Sequence, residues 1–235
     1  MGTHIFKCPL DLWIYQEIIF NLKPDIIIES GTADGGGAFF LASICDMLDN
    51  GKVITIDIEE KENRPQHKRI NYLLGSSISE EITAQIKEEI SGSNTIMVIL
   101  DSDHHKEHVL EDLRIYSHSV TKNSYIIVED TNINGHPVFP GFGPGPMEAV
   151  EEFLNENKDF KVDEIKEQFS LTFNPRGYID DIGGGIVWGE SLGLFDQFTI
   201  GFHNLTTYLG YGWYLTLIGA VMGVIASRIL QQDVA

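Results

Sequence analysis

Positive charge is what this sequence has least of. Against 35 Asp and Glu, its 235 residues set only 16 Lys and Arg, a formal net charge of −19. A nucleic-acid partner is excluded, because phosphate contact needs a basic face. Cysteine is scarce too: Cys8 and Cys45 are the only two, and neither lies in a C-x-x-C pair. That rules out a disulfide framework and suits a reducing compartment. The first residues lack a basic region followed by an unbroken apolar core, since Pro9, Asp11 and Glu17 interrupt them, so no secretion signal is expected. There is no internal repeat.

At the other end the missing feature is charge of either sign. Gln197 to Ser227 holds no Asp, Glu, Lys or Arg, and Tyr208 to Ala226 is mostly apolar and aromatic. That is about the roughly 20 residues a helix needs to cross a bilayer. Tyr208, Tyr211, Trp213 and Tyr214 at one end and Arg228 at the other suit the two interfaces, and Gly219 with Gly223 form a small-residue packing motif. The expected organisation is a cytoplasmic catalytic domain over 1–182, a linker over 183–206 and a transmembrane helix over 207–230 that tethers it to a membrane. A buried helix on the sheet or at a homo-oligomer interface is the alternative.

What is present in quantity is an alternation of apolar strand patterns with helical ones. Ile26 to Gly37 reads I-I-I-E-S-G-T-A-D-G-G-G: a β-branched run that suits a strand buried on both faces, an acid at its end, and a glycine turn into an apolar helix over Ala38 to Leu48. Further strands are expected at Val53 to Ile58, Ile70 to Leu74, Thr95 to Leu100 and Tyr125 to Val128, with two final ones at Phe160 to Val162 and Leu171 to Phe173. Asp11 is read as the cap of a first helix, and Ser77 with Glu80 as the capping box of the helix to Ile90. The fold class is α/β: a Rossmann-like, mostly parallel, doubly wound sheet with right-handed crossovers.

The turn has the pattern Glu29-x-Gly31-x-x-x-Gly35 and lacks the G-x-G-x-x-G that admits a pyrophosphate. A ligand with no phosphates, such as S-adenosylmethionine, needs the turn but not that cradle. Its methionine end would lie on the glycines, and Asp57, closing the second strand, would accept its ribose hydroxyls. An NAD-dependent oxidoreductase is disfavoured by the same missing glycines, and a plain glycine-rich strand turn is the bland reading.

Asp101 closes strand four, and Glu129 and Asp130 close strand five. Neighbouring carboxyl ends of a parallel sheet lie side by side, so these acids would repel each other unless a cation joined them. A hard ion such as Mg²⁺ suits oxygen ligands of this kind. His104, three residues past Asp101, is placed to take a proton from a substrate hydroxyl. His105 and His108 read as helix-surface residues. The loop from Thr131 to Gly145, rich in Asn, Gly and Pro, is long enough to carry function, as a cover for the metal and acceptor.

The stretches P-L-D-L-W-I-Y-Q-E-I-I, I-I-E-S-G-T, I-L-D-S-D-H, I-V-E-D-T-N-I-N-G-H-P, F-G-P-G-P-M-E-A-V and L-T-F-N-P-R-G-Y, in that order between Pro9 and Ile179, resemble the cephalosporin hydroxylase family. Its members include S-adenosylmethionine-dependent O-methyltransferases that act on cephalosporin precursors and on sugars. The resemblance implies that Glu29, Gly31, Thr32 and Gly35 hold the methionine side of the cofactor, Asp57 its ribose and Ser77 its adenine side. It implies Asp101, Glu129 and Asp130 as Mg²⁺ ligands, His104 as general base, and a sugar or small glycosylated metabolite as acceptor. Gly37 stands where the family commonly has Ser, and past Ile179 the resemblance stops. A membrane-tethered binding module without turnover is the rival from another class.

Overall fold

The computed structural model describes residues 2–183. In chain order the elements are α1 (Pro9–Leu22), β1 (Ile26–Ser30), α2 (Gly36–Leu48), β2 (Lys52–Asp57), β3 (Ile70–Leu74), α3 (Glu80–Glu89), β4 (Ile96–Leu100), α4 (Lys106–Tyr116), β5 (Tyr125–Val128), α5 (Pro146–Glu156), β6 (Phe160–Val162), a 3-10 turn (Glu164–Glu167) and β7 (Tyr178–Asp181). They form one seven-stranded sheet in the order β3-β2-β1-β4-β5-β7-β6. β3, β2, β1, β4 and β5 run parallel, and β7 pairs antiparallel with both β5 and β6.

Strand composition follows from burial on both faces. Ile26, Ile28, Ile54, Ile56, Val98, Leu100, Ile126 and Val128 meet Ile82 and Ile86 of α3, Leu113 of α4 and Phe153 of α5. The alternate residues Ile27, Val53, Met97, Ile99 and Ile127 meet Ile14, Tyr15 and Ile18 of α1 and Leu41 and Ala42 of α2. Each such side chain taken from water stabilises the fold by about 1.5–3 kcal/mol, so a period-2 chain apolar on both faces is held firmly in the middle of three layers. The order in which successive strands are added reverses between β1 and β4, the switch point whose crevice takes the ligands of open α/β sheets.

Three local expectations are corrected. The last strand is Tyr178–Asp181, not Leu171 to Phe173; Leu171 is 59% and Phe173 41% exposed, whereas Tyr178 and Ile179 are fully buried. Antiparallel pairing on both sides outweighs the low strand preference of Asp180 and Asp181. α1 begins at Pro9 after Cys8, and Asp11 inside its first turn is buried rather than a cap. α3 is capped by Ser79, whose hydroxyl accepts from the Ile82 N–H, which frees Ser77 for another role.

The linker and membrane helix expected beyond residue 183 fall outside the described residues. No helix among the described residues is long and apolar enough to cross a membrane.

Candidate active site

Sheet register gathers the expected site residues. Glu29 stands opposite Thr55 of β2 and Ile99 of β4, and Leu100 opposite Val128 of β5. The ladder runs on past the strand ends: the Asp101 N–H donates to the Ser30 carbonyl and the Glu129 N–H to the Leu100 carbonyl, both at 2.9 Å. Continuing the pleat, Glu29, Asp101 and Glu129 share the parity of Ile27, Ile99 and Ile127, so all three turn toward the α1 and α2 face. A side chain placed at Gly31 (φ +92°) would overlap the Asp101 carbonyl, so glycine here is what lets β1 and β4 close up.

Beside the glycine turn, the buried Glu29 accepts from the Thr55 hydroxyl at 2.8 Å, and Thr32 and Thr55 hydroxyls lie 2.7 Å apart. Thr55 has one hydroxyl hydrogen and spends it on Glu29, so Thr32 must donate to Thr55. The other Glu29 oxygen, Oε1, is buried without a hydrogen-bond partner and faces a cavity lined by Lys7, Gly31, Thr32 and Asp101. Burial pushes the Glu29 carboxyl up to about 7, with Lys7 and Thr55 opposing. Asp57 accepts from the Ala33 N–H (2.9 Å), the Glu59 N–H (2.9 Å) and Arg64 (2.8 Å), which binds the glycine turn to β2. Gly35 is crowded by Pro65 and Tyr72. Ser77 is not part of the cavity lining. Its hydroxyl lies 3.2 Å from His108 Nε2, and its carbonyl accepts from Tyr116. His108 is therefore half-buried against Ser77 and Asp112 rather than a plain surface residue.

At the ends of β4 and β5 the acids divide into two groups. Asp101, His104 and Asp130 each offer a ligand atom, all within 4.8 Å of one another, and His104 Nε2 lies 3.2 Å from Asp130 Oδ2. Asp130 is in the left-handed region (φ +53°), which breaks the strand alternation and swings it to His104 while Glu129 stays on the inner face. Glu129 instead pairs with Lys7, whose ammonium also donates to Asp101 at 2.8 Å and stands 3.8 Å from Glu29. Burial works to lower the Lys7 pKa, but Asp101, Glu129 and Glu29 outweigh it and hold the ammonium well above the usual lysine range. Burial and the Asp101 charge push Glu129 up to about 8, against Lys7 and Tyr15. Lys7 thus stays charged among the three carboxyl groups. Burial and Asp101 also raise Asp130, with His104 opposing. The two carboxylates of this group, partly open to solvent, offer oxygen donors that fit a hard divalent cation, with the imidazole beside them.

The loop from Thr131 to Gly145 is organised by Glu148 in the first turn of α5. Its carboxylate accepts from Asn134 (2.8 Å) and the Gly145 N–H (2.7 Å) and lies 3.0 Å from His136 Nε2. Partial burial would raise its pKa, but His136, Gly145 and Asn134 outweigh this and hold it at about 2. A depressed carboxylate stabilises the fold above its unfolded pKa, and that contribution is lost as pH falls from about 4.5 toward 2. Glu148→Gln should therefore cost roughly 1–2 kcal/mol at pH 7 and much less near pH 3. Urea unfolding at the two pH values checks it, and an equal loss at both would refute the assignment.

Lys7, Asp11, Tyr15, Arg64 and Asn174 went unread as site residues. Lys7 had one signal: it is the single Lys or Arg in the first 22 residues, directly before P-L-D-L-W. Asn174 accepts from the Asp130 N–H and donates to the Tyr15 hydroxyl, both at 3.0 Å. Nothing in a one-dimensional pattern joins residues so far apart.

The chain is an S-adenosylmethionine-dependent O-methyltransferase with a Rossmann-like fold. The model of the Rhamnosyl O-methyltransferase/CmcI family matches residues 1–182, and the chain belongs to that family. It is 40% identical over 188 residues to a rhamnosyl O-methyltransferase of Mycobacterium bovis, covering 76% of each chain. Among solved structures it is similar to a CmcI apo-structure (TM-score 0.59, 18% identity, 76% of this chain and 73% of that one). A CmcI complex with Mg and SAM is similar at TM-score 0.54 and 19% identity, covering 75% and 73%.

Proposed function

We propose that the protein transfers a methyl group from S-adenosylmethionine to a hydroxyl of a sugar or small glycosylated metabolite, with Mg²⁺ in the Asp101 cluster. The observation that carries this is the Asp101, His104 and Asp130 group, set at the carboxyl ends of β4 and β5 beside the glycine turn. The rhamnosyl O-methyltransferase relatives support a sugar as the acceptor class.

In this reading Glu29, Gly31, Thr32 and Gly35 hold the methionine side of the donor. The orphaned Glu29 Oε1 suits a cationic group. Asp57 retains a free lone pair after its three contacts, enough to accept a ribose hydroxyl. Ser77 closes the adenine side. Asp101 and Asp130, with Glu129 from the inner face, would hold the ion, whose charge would lower the pKa of the acceptor hydroxyl. His104 Nε2 takes that proton and hands it to solvent, on which it is about one-third exposed. Asp130 beside it stabilises the imidazolium that forms. Most of the remaining contribution is proximity: a level row of strand ends that sets donor and acceptor against each other.

The test is methyl transfer to a rhamnoside, followed by mass spectrometry, with and without EDTA. Transfer should vanish with EDTA and return with Mg²⁺. His104→Ala should lose about 10²–10⁴-fold in kcat while still binding S-adenosylmethionine. Full turnover in EDTA would refute the metal role, and an unimpaired His104→Ala the base.

A further inference from the structure

The segment Thr3–Lys7 crosses the N-terminus of α2 on its way into α1. A Cβ on Gly36 would overlap the His4 carbonyl, and one on Gly37 would lie 2.8 Å from Lys7 Cε and 2.6 Å from Glu29 Oε1. Two glycines of the turn thus make room for the protein's own chain. From this strap the Lys7 side chain, 5% exposed, reaches Asp101, Glu129 and Glu29. Between strap and turn remains a cavity of about 20 Å³, lined by His4, Lys7, Glu29, Gly31, Thr32 and Asp101. Such a space holds about one water, whereas pockets for drug-sized ligands run from about 300 Å³ upward.

We infer that Thr3–Lys7 is a displaceable plug of the donor pocket, in which the Lys7 ammonium competes with the divalent cation for Asp101 and Glu129. This rests on the proposed function. The Lys7 ammonium donates to both Asp101 Oδ2 and Glu129 Oε1, so a cation held by these two carboxyl groups would have to displace it. The donor is also cationic at sulfur and needs the space the strap fills. Both ligands therefore displace the same element, and whichever binds first removes the obstacle to the second. Metal and donor should bind with positive cooperativity through the strap.

The experiment is a Mn²⁺ titration of the full chain by electron paramagnetic resonance, with and without S-adenosylmethionine. Lys7→Met keeps the length of the side chain and removes its charge. It should bind Mn²⁺ roughly tenfold tighter than wild type, since one fixed positive charge is gone from the cluster. S-adenosylmethionine should tighten Mn²⁺ on wild type and add little to Lys7→Met. Equal or weaker Mn²⁺ binding by a folded Lys7→Met overturns the competition. Amide exchange on the wild type reads the plug without any substitution: exchange at residues 3–8 should speed up with Mg²⁺ and S-adenosylhomocysteine. Unchanged or slowed exchange overturns it. Asp101→Asn separates this failure from that of the site: Mn²⁺ binding that survives Asp101→Asn refutes the metal assignment and, with it, the competition.

Discussion

Asp101→Asn is expected to lower kcat for methyl transfer by on the order of a thousandfold, the equivalent of about 4 kcal/mol of transition-state stabilisation. The substitution is nearly isosteric, so packing at the end of β4 survives and the loss reads out charge. Asp101 contributes to two arrangements at once. It belongs to the group with His104 and Asp130, and it is the 2.8 Å partner of Lys7. Removing its charge weakens the hold on a divalent cation and leaves Lys7 leaning on Glu129 and Glu29. The Glu29, Thr55 and Thr32 chain does not pass through Asp101, so S-adenosylmethionine binding should change far less than turnover. Calorimetry of the donor beside initial rates across Mg²⁺ concentrations checks both halves. Rates within a few-fold of wild type would remove Asp101 from the reaction.

The largest effect on stability is expected at Asp11, far from any motif of the reaction. Its side chain is 2% exposed. It accepts from the Thr172 hydroxyl (2.6 Å), the Tyr178 hydroxyl (2.9 Å) and the Phe173 N–H (2.8 Å). Asp11→Ala strands these donors in the interior, at a cost of about 3 kcal/mol or more. For a domain of this size that is a fall in Tm of roughly 10 °C, readable by circular dichroism. Turnover should fall as well. The segment Asp11 secures carries Asn174, which holds the Asp130 backbone and the Tyr15 hydroxyl, and Tyr15 restrains Glu129. An unchanged Tm would refute this hub.

Both residues mark how far a linear reading reaches. Asp101 was legible because an apolar run ends abruptly in an acid, and because parallel strands put such endings side by side. In the sequence Asp11 reads as a helix cap, because Asp near a helix start usually is one. Its partners lie more than 160 residues away, a distance no local pattern spans. Tyr178–Asp181 is hidden for a related reason: its two acids argue against a strand until pairing with β5 and β6 supplies the hydrogen bonds.

The glycine turn was legible in a different way. Its pattern lacks the close glycines of a pyrophosphate cradle. What each glycine accommodates was not readable. Gly31 admits the Asp101 backbone, Gly35 faces Pro65 and Tyr72, and Gly36 admits the His4 carbonyl.

By itself the sequence determined the layered α/β plan, the strand-end acids, the histidine beside them and the family, because period-2 burial and residue type are local properties that survive in one dimension. Only the tertiary structure decided which acid meets which cation. Register sends Glu29, Asp101 and Glu129 to one face, where Lys7 meets them, and the positive φ of Asp130 turns that residue away to His104. Those choices depend on distances between distant segments, and Coulomb and hydrogen-bond energies act on distance, not on order along the chain.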